Sequence, residues 1–83
     1  MENGRRNIEQ ENRRLRRLQL MVDLVSMQLQ TERQLTLTEG INIIRGVKNY
    51  ALSLFPDKER QFNLIYQSRL VRILVERNLF NKN

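Results

Sequence analysis

The 83-residue chain has no cysteine, no histidine and no tryptophan. Without cysteine there are no disulfides, no thiolate chemistry and no cysteine-ligated metal site. Without histidine the chain lacks the commonest metal ligand and the usual general base near neutral pH. One proline and three glycines are too few for a turn-rich β protein. Aromatics are only 6% of the chain, so a core drawn from its 40% apolar residues must be aliphatic, and thirteen leucines supply much of it. The length suits one domain at most. No cofactor or metal is implied and no enzymatic constellation stands out. The serines, threonines and lysines have no evident base beside them, and Gly4, Gly40 and Gly46 are too scattered to form a phosphate-binding loop. Glu9 and Glu11 stand two residues apart, on different sides of a helix. The expectation is a protein that is not an enzyme.

Long apolar runs are also missing. The most apolar stretch, from Leu18 to Leu29, contains Asp23 and is shorter than the roughly 20 residues a bilayer requires. The polar N-terminus has no apolar core of a signal peptide. The chain is therefore read as soluble, without a membrane span, and cytoplasmic by default.

Charge is plentiful: fifteen basic against nine acidic residues, net +6, with twelve of the basic residues arginine. Residues 1–18 hold six arginines and three glutamates, which makes this stretch the densest in positive charge. Arg13, Arg14, Arg16 and Arg17 are the candidate contacts to a polyanion, because a helix carrying them can lie along a phosphate backbone and displace counterions. The competing reading is a solvated face on which Glu9 supports Arg13 one turn away.

Periodicity and punctuation give three helices. The first spans about Arg5 to Gln34. Ile8, Leu15, Val22 and Leu29 recur every seven residues, with Leu18 and Val25 between them, on a sector about 100° wide. Leu20, Leu24 and Met27 lie nearly opposite, so this helix is apolar on two faces. The second helix opens at Thr36, where Thr36-Leu37-Thr38-Glu39 has the form of a capping box. Its face comprises Leu37, Ile43, Ile44, Val47, Tyr50, Ala51, Leu54 and Phe55, and Gly46 reads as a tolerated surface glycine. Phe55-Pro56-Asp57 ends it and starts the third helix by Asp57 or Lys58, since proline disfavours a helical residue before it and suits a first turn. There Phe62, Ile65, Tyr66, Leu70, Ile73 and Leu74 form the main face, with Leu64, Val71 and Val75 a second stripe. Arg69 projects onto the main face and is expected to form a structural ion pair with Glu76 or Asp23. The pattern fades after Arg77, and residues 78–83 read as frayed.

The expected fold is all-α: a long N-terminal helix followed by an antiparallel helical hairpin, a bundle that dimerisation can complete. Residues 1–17 read as a basic arm, helical or frayed, residues 18–80 as the helical domain and residues 81–83 as a disordered tail. A 30-residue helix reaches about 45 Å and a 20-residue one about 30 Å, so the first helix must overshoot the hairpin. Two apolar faces per helix exceed what a three-helix monomer needs, and exposed apolar patches mark interaction sites. The functional expectation is a small helical interaction module that self-associates or binds another helical protein. Its candidate contacts are Ile8, Leu15, Val22, Leu20, Leu24, Met27, Leu64, Val71 and Val75. The alternative is a nucleic-acid-associated factor acting through the arginine-rich arm.

Overall fold

The computed structural model describes the backbone of residues 2–79 and the side chains of residues 8–79. The described residues form three helices and no strand: α1 (Glu2–Thr31), α2 (Leu37–Leu54) and α3, residues 59–76, whose turn Asn63–Gln67 is π-helical. α1 packs against α2 and the C-terminal part of α3, and α2 also packs against α3. Gly40 near the start of α2 meets Leu74 near the end of α3, so the hairpin is antiparallel. The bundle core draws Leu18, Val22, Val25 and Leu29 from α1, Ile44, Val47 and Ala51 from α2, and Phe62, Leu70, Ile73 and Leu74 from α3. The molecule is 58 Å long and 22 × 16 Å across. α1 therefore runs well past the hairpin, and residues 8–17 are all exposed.

Local chemistry sets the breaks. α1 stops at Thr31 rather than near Gln34 because Leu35 belongs to the core. Continuing at about 100° per residue would carry Leu35 well off the buried face, whereas the turn at Glu32, closed by the Leu35 N–H on the Glu32 carbonyl, swings it inward. α2 then starts with the expected capping box. The Thr36 Oγ1 accepts the Glu39 N–H at 3.1 Å, and a Glu39 carboxylate oxygen accepts the Thr36 N–H at 3.0 Å and its hydroxyl at 2.9 Å.

α3 begins at Glu59, later than expected. Pro56 occupies the second position of a β-turn closed by the Lys58 N–H on the Phe55 carbonyl at 3.1 Å, so it shapes the connection rather than the first helical turn. The π-helical turn brings a second correction. It fits one extra residue into the helix, with the Ser68 N–H bonding to the Asn63 carbonyl five residues back, and everything after it is rotated by about 100° from an unbroken α-helix. Phe62 and Leu70 thereby share the core face, while Ile65 is exposed. Arg69 turns outward with it and is exposed. Among the described residues the ion pair formed is Lys48–Glu59 at 3.3 Å, not one of Arg69 with Asp23 or Glu76.

The end of α3 is capped, not frayed. Asn78 takes a left-handed φ of 61°, its N–H bonds to the Val75 carbonyl, and the Leu79 N–H bonds to the Leu74 carbonyl. This is the Schellman arrangement with asparagine where glycine is commoner, and it folds Leu79 into the core. Residues 80–83, including the expected tail, lie outside the described residues.

Candidate interaction surface

The two apolar faces of α1 meet different fates. Val22 and Leu29 on the heptad seam are buried in the monomer, Val22 at 1% exposure. Val22 is thus a core residue and leaves the set of surface candidates. The same seam continues past the hairpin as Leu15, 41% exposed, and Ile8, 60% exposed. On the opposite side Leu20, Leu24 and Met27 stand more than half exposed. On α3, Leu64 and Val75 are exposed, whereas Val71 is half-buried against the core, so this stripe is interrupted.

Beside Leu15 lies an apolar groove of about 340 Å³, between α1 and the end of the hairpin where α2 turns into α3. Leu18, Ala51 and Phe62 line its buried floor, and Leu15, Leu52, Phe55, Ile65 and Tyr66 its walls. Glu11, Asn12, Lys58 and Gln61 complete the lining with polar groups. Phe62 and Tyr66 pack ring against ring with centroids 5.8 Å apart. The π-helical turn contributes directly, because Ile65 and Tyr66 both belong to it. The extra residue that moves Ile65 off the core face places it on the groove wall. A reading at 3.6 residues per turn assigns Ile65 to the core and misses the groove. The signal that was present is the crowding of Phe55, Phe62 and Tyr66, three of the five aromatics, into twelve positions.

Arg13, Arg14, Arg16 and Arg17 are all exposed on the part of α1 beyond the hairpin. The backbone N–H of Thr36, and then its hydroxyl, hold the Glu39 carboxylate below the usual range. That is a capping effect. Among the described residues no group of three or more histidine, cysteine, aspartate or glutamate side chains is placed to hold a metal ion. No helix among them is long and apolar enough to cross a membrane. What the arrangement offers is shape and apolar surface beside a basic helix. Compared with protein-family models, curated proteins and solved structures, the chain matches none.

Proposed function

We propose that this protein is a small, non-enzymatic helical interaction module of the cytoplasm that associates with a second copy of itself. The observation that carries the reading is the heptad seam of α1. It is written as one apolar row from Ile8 to Leu29, yet the monomer covers only its C-terminal half and leaves Ile8 and Leu15 in solvent beside an open apolar groove. Contiguous apolar surface of this kind marks interaction sites, and small domains gain by oligomerisation the burial they lack alone. Sedimentation at high micromolar concentration tests it. The wild-type chain is expected to exceed its 10.0 kDa monomer mass, and Leu15→Glu to return it to monomer with unchanged helicity. A wild-type protein that stays monomeric would remove the proposal. A dimer indifferent to Leu15→Glu would move the contact to Leu20, Leu24 and Met27 or to Leu64 and Val75.

A second reading has its own observation: four arginines exposed within two turns of a projecting helix. As a nucleic-acid-associated factor the chain would bind DNA or RNA through Arg13, Arg14, Arg16 and Arg17. Replacing all four with glutamine would flatten the slope of log K against log salt by about three to four. Absence of binding to generic DNA and RNA in roughly 50 mM salt ends this reading.

A further inference from the structure

The apolar groove and the exposed Ile8 are on the same seam of α1, and their spacing makes them a reciprocal pair. Ile8 and Leu15 are seven residues apart, two turns or about 10.5 Å along the helix, with an angular offset of only about 20°. A two-fold axis perpendicular to α1, passing beside its seam at the level of Glu11 and Asn12, exchanges the two positions between the copies. Each Ile8 is then laid over the Leu15 of the other copy, where the groove opens. Glu11 and Asn12 line that same groove, so the axis passes along its edge and the two pockets sit side by side. A contact of this isologous kind closes on itself as a dimer and leaves no open end.

Charge selects the same orientation. Residues 7–12, around Ile8, carry Glu9 and Glu11 and no cation, Arg5 and Arg6 preceding them, whereas residues 13–17 hold four arginines and no acid. Parallel arms would set arginine on arginine over about one and a half turns, and antiparallel arms set the acidic segment of each against the basic segment of the other. Glu11 is near the middle of the seam and needs a counterion once covered. Lys58 on the groove lining and Arg14 on the opposing arm are the cations this geometry brings to it.

The geometry points to reciprocal insertion: two copies pair their α1 arms antiparallel, and Ile8 of each occupies the groove formed by Leu15, Phe55, Ile65 and Tyr66 of the other. This rests on the self-association proposed above and gives it an orientation and a receptor site. Ile65 is the informative residue, because it belongs to α3 and an arm-to-arm contact alone never reaches it.

The experiment uses the full chain. Ile65→Glu is expected to raise the dimer dissociation constant about tenfold or more with unchanged helicity, since Ile65 is 58% exposed and its replacement opens no cavity. Because the chain has no cysteine of its own, differently tagged Ile8→Cys and Ile65→Cys variants can be mixed under mild oxidation. A mixed disulfide between the two chains is expected, in excess of either self-linked product. Predominance of the self-linked Ile8→Cys product overturns the inference in favour of parallel arms. A dimer weakened by Leu15→Glu but not by Ile65→Glu overturns it while leaving self-association in place. A monomeric wild type overturns both.

Discussion

The two ends of the bundle are built on different terms. At one end the C-terminus of α1, the start of α2 and the C-terminus of α3 are fastened together by backbone and side chain. Arg77 donates to the Leu29 carbonyl at 2.6 Å, supplying the cation that the last turn of α1 does not carry itself. Gly40 lets α2 approach so closely that a Cβ there would lie 2.7 Å from Leu74 Cδ2, and the Schellman turn folds Leu79 over the same region. At the other end α1 runs on alone, a 340 Å³ groove stays open, and Ile8, Leu15 and Ile65 face solvent. The closed end buries its apolar residues in the fold, and the open end leaves them in solvent.

Truncation of side chains should separate the two ends most sharply. Leu74 is fully buried, so Leu74→Ala is expected to cost about 2–5 kcal/mol in urea or thermal unfolding. That is a large share of the roughly 5–10 kcal/mol a domain of this size has. Leu15→Ala at the open end should change monomer stability by under about 1 kcal/mol. Equal losses at both sites would mean that the arm is part of the folding core.

The glycines sharpen the contrast at smaller scale. Gly46→Ala meets nothing within 4 Å and should gain up to about 1 kcal/mol of helix propensity. Gly40→Ala makes the same propensity gain but presses on Leu74, and overpacking typically costs about 1–3 kcal/mol, so a net loss of about 1 kcal/mol is expected. In a Leu74→Ala background the obstruction is gone and Gly40→Ala should turn stabilising, a coupling that a double-mutant cycle measures directly.

The smallest effect concerns pH at the capping box. The Glu39 carboxylate is held below its usual range by Thr36, so the folded state binds this proton less readily than the unfolded chain. Its contribution is present above the ordinary carboxylate pKa and is lost as pH falls through the depressed folded value. Glu39→Gln should remove that part of the acid dependence of α2 helicity, seen as a flatter acid limb in circular dichroism. An unchanged limb would assign the dependence to other carboxylates.

These ends were not equally legible in the sequence. The apolar spacing of Leu18, Val22, Val25 and Leu29 identifies the core face of α1, the Thr36–Glu39 pair identifies the start of α2, and Pro56 marks the connection to α3. Those signals act between near neighbours. A uniform helical period misplaces Ile65 and Arg69, because the π-helical turn changes the period inside α3 and no local residue choice announces it. Asn78 followed by Leu79 did carry a signal, asparagine being tolerated at left-handed φ, but it was obscured by the polar tail beyond. Gly40 was unreadable for a different reason: a close approach depends on which residue of another helix arrives there, and that residue is 34 positions away in sequence. The groove depends on the same long-range placement.

The solitary stretch of α1 also bears on hydrogen exchange. With residues 8–17 all exposed and none of them in the core, the amides there are protected chiefly by their own ladder, and a helix end with little tertiary support opens at little cost in free energy. These amides should therefore exchange far faster than those around Val22 and Leu29 in the monomer. Any partner that seats on the arm, a second copy or a phosphate chain, will slow them. Deuterium uptake in this one segment thus registers occupancy of the open end without a label, a cofactor or an activity.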